Sequence, residues 1–187
     1  MAGKFQLRNI SCALTAINSL NRKIPTGAIK NGLKNVRWPG RFEVVNEKPL
    51  ILLDGAKDPE SLRNVVESLG LLDYEKLYTV LGISRDKSIS EMVREISEKT
   101  DFFVLTKHKV MDRGADIENL REEVEKHKKP FLIFDDVKNA VRKAKKLADK
   151  NDLVLVTGSL FTVAEARELW FKNKAKMGRE FNENFRI

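Results

Sequence analysis

From Arg41 onward the sequence alternates between short apolar runs and longer amphipathic ones, and this alternation constrains the fold more than any other feature. The short runs are Phe42–Val45, Leu50–Leu53, Leu77–Leu81, Phe102–Leu105, Phe131–Phe134 and Leu153–Val156. Most are continuously apolar and rich in β-branched or aromatic residues, the pattern of strands covered on both faces. Between them, helical spacing of apolar residues runs over Glu60–Leu69, Ser90–Lys99, Ile117–Lys126, Val137–Lys150 and Val163–Asn173. Strands alternating with helices of this length specify βαβ units. The expected fold is α/β: a mostly parallel, Rossmann-like sheet of about six strands with helices on both faces. Only Asn46-Glu47-Lys48-Pro49 joins the first two strands, a hairpin-length link, so one edge strand is expected to be antiparallel.

The first part of the chain has a different pattern. Ile10, Ala13, Leu14 and Ile17 share one face of a helix over residues 8–20, and a second short helix follows Pro25. Trp38-Pro39-Gly40 cannot continue a helix, which puts a boundary near Val36–Gly40. The expected division is a helical piece over 1–36, an α/β domain over 37–173 and a polar, basic tail over 174–187.

The formal net charge is +8 and the pI about 9.5. A basic surface attracts nucleic acid, anionic membrane or small polyanions. The charges are interspersed, however, and "REEVEKHKKP" and "VRKAKKLADKND" read as solvated helix faces. No RNA- or DNA-binding motif is present, so no specific nucleic-acid partner is expected. The single cysteine, Cys12, permits no internal disulfide and fits a reducing cytoplasm; its apolar helical setting reads as a buried structural thiol. No run approaches the roughly 20 apolar residues of a membrane span, and "MAGKFQLRN" lacks the apolar core of a signal peptide.

Ligands of open α/β sheets sit beyond the carboxyl ends of the strands. Those ends carry Asp54-Gly55-Ala56-Lys57-Asp58-Pro59, Gly82-Ile83-Ser84-Arg85-Asp86, Thr106-Lys107-His108 with Arg113 beyond, Asp135-Asp136 and Thr157-Gly158-Ser159. Taken singly, Asp58, Asp135 or Asp136, and Ser159 read as helix caps. Taken together, five polar junctions with glycines and cations suggest a site for an anionic ligand, or for two ligands meeting. The sequence lacks GxxxxGK[ST], so this chain cannot cradle a triphosphate in a phosphate loop of its own. No Cys/His cluster suggests zinc.

Several phrases together resemble one family. "VRWPGRFEVV", "LILLDGAKDPES", "VLGISRDKSISEMV", "DFFVLT" and "LVLVTGSLFTVAEAR" are similar, in order and spacing, to the C-terminal domain of folylpolyglutamate synthase/dihydrofolate synthase, of the Mur ligase superfamily. The resemblance runs from about Gly3 to Trp170. It implies an ATP-dependent amide ligase in which an N-terminal ATPase domain, absent from this chain, carries the phosphate loop and most of the Mg²⁺ ligation. That domain and a folate-type substrate with glutamate are the implied partners. "GKFQLRNISCALTAINSL" resembles the last helix of the ATPase domain.

The resemblance also implies site residues. ATP would be contacted from this half by the helix Asn, the Arg of WPGR and the Asp of DGA: Asn9, Arg41 and Asp54. The residue after DGA and the Ser of TGS, here Lys57 and Ser159, would lie near the glutamate and the reacting centre. The family usually reads Asp-Gly-Ala-His-Asn-Pro, whereas this chain has Lys57 and Asp58. A lysine supplies charge to an oxyanion or carboxylate but does not act as a neutral imidazole. The expectation is a ligase domain inactive by itself. The rival is a diverged binding or partner domain of the same fold.

Overall fold

The computed structural model describes residues 3–20, 22–109 and 114–171. Two helices, α1 (Gln6–Asn18) and α2 (Thr26–Asn35), precede the α/β region. Then follow β1 (Glu43–Glu47), β2 (Leu50–Leu53), α3 (Pro59–Leu69), β3 (Leu77–Leu81), α4 (Ile89–Ser97), β4 (Phe102–Thr106), α5 (Ile117–Lys126), β5 (Phe131–Phe134), α6 (Val137–Leu147), β6 (Leu153–Thr157) and α7 (Leu160–Arg167). The strands form one six-stranded sheet in the order β1-β2-β6-β3-β4-β5. β1 is antiparallel to β2, and the other neighbours are parallel. The α/β fold and the antiparallel edge strand are as the sequence predicts.

Right-handed crossovers decide which face each helix covers. From β2 the chain passes over β6 to β3, then steps outward to β4 and β5, so α3, α4 and α5 share one face. Leu62, Val65 and Leu69 of α3 and Met92, Val93 and Ile96 of α4 there meet Leu52, Leu81, Phe103, Leu105 and Leu155. From β5 the chain turns back to β6, which puts α6 on the opposite face with α7. Val137, Ala140, Val141 and Ala144 of α6 and Val163 of α7 meet Ile51, Leu53, Val80, Val104, Val154 and Val156. Successive strand residues therefore enter opposite cores, and both are dry. Ile51, Leu52 and Leu53 are all fully buried, each worth about 1.5–3 kcal/mol of transfer free energy.

Several helix limits differ from the sequence reading, most at the end of α6 and at α7. α6 stops at Leu147, not Lys150, because the Asp152 carboxylate accepts from the amides of Asp149 (2.8 Å) and Lys76 (3.1 Å) and holds a turn there. α7 starts at Leu160, not Val163, directly after its cap, and ends at Arg167; the last two residues of the expected run, 172–173, lie outside the described residues.

α1 and α2 are attached through the start of the chain. The Lys4 amide donates to Ser68 Oγ (2.9 Å), and Phe5 packs edge-on against Phe42, with ring centroids 6.4 Å apart. Gln6 is the one buried residue of α1, and α2 buries none. Their apolar faces line a groove of about 530 Å³ containing Ile10, Leu14, Ile29 and Leu33. Cys12 corrects the expected buried thiol: it lies off the Ile10–Ile17 stripe and is exposed. Among the described residues no helix is long and apolar enough to cross a membrane. Arg113 and the basic tail over 174–187 lie outside the described residues.

Candidate functional site

β2 and β6 are adjacent and parallel, yet the chain leaves them for opposite faces, to α3 and to α7. Such a reversal opens a crevice at the carboxyl ends of the strands. Here it is flanked by Asp54–Asp58 after β2, Thr157–Ser159 after β6 and Gly82–Ser84 after β3.

Hydrogen bonds interlock the Asp54 loop with the Trp38-Pro39-Gly40 segment, and the Thr157–Ser159 loop with Gly82 and Ser84. The Gly55 amide donates to Gly40 O (2.8 Å). Asp54 Oδ2 accepts from the Phe42 amide (2.8 Å) and Oδ1 from the Ala56 amide (2.9 Å). The Gly40 amide donates to Glu43 Oε2 (2.7 Å), and the Arg167 guanidinium grips the same carboxylate through Nε (2.9 Å) and Nη2 (3.0 Å). Gly40 has φ +68, and a Cβ there would lie 2.8 Å from Val163 Cγ1, so this turn needs glycine on both counts.

Arg41 and Asp54 are brought together. Both line a small cavity with Phe5 and Ser61, and Arg41 also borders a cleft of about 460 Å³ with Arg37, Trp38 and Glu43. Asp54 is 1 % exposed. Its burial pushes the carboxyl pKa up, against the amides of Phe42 and Ala56 and the charge of Arg41, which pull it down. Guanidinium groups beside an exposed indole suit a phosphate or a stacked base.

The other expected residues are more dispersed. Lys57 is exposed on the turn before α3. Asp58 caps that helix, its carboxylate accepting from the Ser61 amide at 2.8 Å, so the capping reading holds. Asp136 likewise caps α6, and the Asn139 amide, with Lys109 3.1 Å away, holds its pKa down. Asn9 is exposed on α1, donating to Gln6 Oε1 (3.1 Å) and lining the groove toward α2.

Ser159 lies at the centre of a buried constellation. It caps α7 through the Phe161 amide (3.2 Å). Its Oγ also lies 3.2 Å from Ser84 Oγ, which is 3.1 Å from His108 Nε2. Ser159, Ser84 and His108 are 3 %, 6 % and 0 % exposed. They hang from the ends of β6, β3 and β4. Strand-end placement singled out Ser84 and His108 in the sequence, but nothing local signalled that they are buried and linked to Ser159. Gly158 closes this corner with φ +101, its missing Cβ position 2.7 Å from Gly82 O, while Thr162 Oγ1 donates to the same carbonyl (2.8 Å). Among the described residues no three His, Cys, Asp or Glu side chains group as a metal site.

A mostly parallel sheet with helices on both faces and polar loops gathered at its switch point defines an α/β domain of the kind that places ligands at that edge. The chain belongs to the Mur ligase, glutamate ligase domain family, which matches residues 40–160. It is 37 % identical over 171 residues to the "Probable bifunctional folylpolyglutamate synthase/dihydropteroate synthase" of Haloferax volcanii, covering 91 % of this chain and 20 % of that protein. The protein of the same description from Halobacterium salinarum is 35 % identical, over 94 % of this chain and 21 % of its own length. A bifunctional folylpolyglutamate synthase/dihydrofolate synthase from Yersinia pestis superposes with a TM-score of 0.76 at 34 % identity, over 84 % of this chain and 37 % of the other. The chain thus spans between about a fifth and two fifths of the length of these relatives.

Proposed function

We propose that this chain supplies the C-terminal half of an ATP-dependent ligase that joins glutamate to a folate-type carboxylate. An N-terminal ATPase domain, in the same polypeptide or a separate one, would carry the phosphate loop and hold the magnesium. The observation that carries this reading is the tie between the WPGR and DGA loops, beside the TGS loop, at the switch point of a glutamate ligase domain. The division into a helical piece over 1–36 and a ligase domain over 37–173 is part of the proposal. The sparse burial of α1 and α2 supports it, because their apolar faces suit continuation into the ATPase domain. A cytoplasmic setting fits the use of ATP.

In this reading a substrate carboxylate is phosphorylated by ATP, and the glutamate amine attacks the acyl phosphate through a tetrahedral intermediate. Amide, ADP and phosphate result. ATP and Mg²⁺ supply the activation; the residues here orient and balance charge. Arg41 meets phosphate charge or stacks on the base. Asp54 fixes the loop bearing Arg41 through the Phe42 amide and, with lone pairs to spare, accepts from a ribose hydroxyl or the adenine amine. Asn9 approaches the nucleotide from α1. Lys57 offers its ammonium to the glutamate carboxylate or the developing oxyanion. Ser159, held by Ser84 and His108, presents a hydroxyl beside the reacting centre. Closure of the two domains would exclude water.

The second reading, a diverged binding or partner domain, is favoured by Lys57 and Asp58 in place of the family His and Asn. The ligase reading places nucleotide at Arg41, whereas failure to bind nucleotide even beside an ATPase half would favour the second. With the ATPase half supplied, Arg41→Ala is expected to weaken binding of a non-hydrolysable ATP analogue roughly tenfold or more, the loss of a charge-assisted contact. Unchanged binding removes Arg41 from the site.

A further inference from the structure

β5 ends the sheet, and among the described residues no strand pairs with its outer edge. Its central residues, Leu132 and Ile133, are 36 % and 37 % exposed, unlike the dry centres of β2, β3, β4 and β6. The Phe103 amide donates to Pro130 O (2.9 Å), which fixes the direction of the polar backbone groups. By the alternation of a parallel ladder, Pro130, Leu132 and Phe134 bond toward β4. Within β5, Phe131 and Ile133 therefore turn both N–H and C=O outward. The proline's missing donor falls on the inner side and leaves the outer edge complete.

The charge around this edge is polar end to end. Lys128-Lys129 precede β5 and Asp135-Asp136 follow it. A parallel neighbour of the same sequence would set like charge on like; an antiparallel one sets lysines on aspartates. Asp136 already caps α6 and pairs with Lys109, so Lys129 and Asp135 are the informative pair. The opposite sheet edge contrasts: β1 has Glu43 and Glu47 at its ends and a register shift between Val44 and Asn46, both features of a guarded edge.

We propose that a second copy of this chain docks on β5, edge to edge and antiparallel, continuing the sheet through a two-fold axis at Leu132. In this register Phe131 and Ile133 exchange backbone hydrogen bonds with Ile133 and Phe131 of the second copy. Leu132 faces its own equivalent as a non-hydrogen-bonded pair, and Lys129 meets Asp135. The helices leave room. α5 packs mainly over β4, and α6 on the other face lies over β4 more than over β5, so on each face the equivalent helices of two copies stand about three strand spacings apart, about 14 Å. That exceeds the roughly 8–10 Å of packed helices. The inference rests on the sheet edge alone and is independent of the ligase reading.

Sedimentation velocity of the full chain over a wide concentration range tests it, with Leu132→Cys and Ile133→Cys compared in a Cys12→Ser background. The expected result is a concentration-dependent dimer. Leu132→Cys should cross-link under mild oxidation, since non-hydrogen-bonded partners sit about 4.5 Å apart between Cα atoms, within disulfide reach. Ile133→Cys, opposite Phe131, should cross-link at least roughly tenfold less. Lys129→Asp or Asp135→Lys alone should weaken the dimer by roughly tenfold, and the two together should restore it. Circular dichroism confirms that each variant is folded. A wild-type monomer at every concentration overturns the proposal. So does a dimer indifferent to both charge reversals, or one in which Ile133→Cys cross-links as well as Leu132→Cys.

Discussion

Asp54→Ala probes the joint on which the site depends. The Asp54 carboxylate satisfies the amides of Phe42 and Ala56 at 2.8 and 2.9 Å in a position 1 % exposed. Alanine leaves both donors without their acceptor. A buried donor deprived of its partner costs about 1–3 kcal/mol, so two cost about 2–6 kcal/mol. Relief of the buried charge offsets part of this, as the raised pKa of Asp54 indicates. The net expectation is a loss of about 2–3 kcal/mol. For a domain of this size that lowers Tm by roughly 4–12 °C. Urea unfolding followed by circular dichroism gives the free energy, and the m-value should not change. Amide hydrogen exchange supplies the local signature: the Phe42 and Ala56 amides, protected in the wild type, should exchange much faster in the variant, while β3 and β4 keep their protection relative to global stability. Unfolding unchanged within about 0.5 kcal/mol, or exchange at Phe42 and Ala56 unaltered, would refute Asp54 as the tie between the two loops.

Two glycines at the same edge should respond differently. Gly158→Ala combines a positive φ with a backbone clash at 2.7 Å and should cost roughly 2–5 kcal/mol. Gly55→Ala meets the Leu160 side chain, Cδ2 at 2.3 Å and Cγ at 3.0 Å, with Gly40 O at an ordinary 3.5 Å; that side chain is 47 % exposed and free to turn, so the change should cost less than about 1 kcal/mol. Equal losses in thermal unfolding would contradict this. The pH dependence has a definite sign. The Asp54 pKa is raised above 3.8 by burial, so its contribution to stability is present below the unfolded pKa and lost as pH rises through the folded one. Asp136, Glu95 and Glu123 are lowered and act oppositely: their contribution holds above the unfolded pKa and is lost as pH falls through the folded one. The stability of the wild type minus that of Asp54→Asn should therefore fall as pH rises from about 4; a difference that grows with pH would reverse the assignment.

The strands were legible because each reports its own burial. A run such as Leu50–Leu53 is apolar throughout because both neighbouring layers are dry, and the predicted and observed limits agree. Strand order was not legible. β6 inserts between β2 and β3, and periodicity says nothing of which strand lies alongside. That insertion creates the switch point, so the shape of the candidate site was hidden while the strand ends that flank it were legible. Asp54, Arg41 and Ser159 were found as strand-end or motif residues. The Arg167–Glu43 grip joins positions 124 apart, and the Ser84–Ser159 contact positions 75 apart. Neither leaves a mark in local sequence. Cys12 was misread because a helix can be amphipathic without packing on its own chain; most of the α1 surface stays exposed here.

In the proposed function this domain would complete a glutamate ligase only in company with an ATPase domain. This is tested most directly by incubating the full chain with ATP, Mg²⁺, glutamate and a folate-type acceptor, with and without the ATPase half of a folylpolyglutamate synthase, and following ADP release and product mass. A product heavier by one glutamyl residue, with equimolar ADP, is expected only when both halves are present. Ligation by the chain alone would contradict it, as would absence of ligation with a folded chain and an ATPase half that is active with its own C-terminal domain.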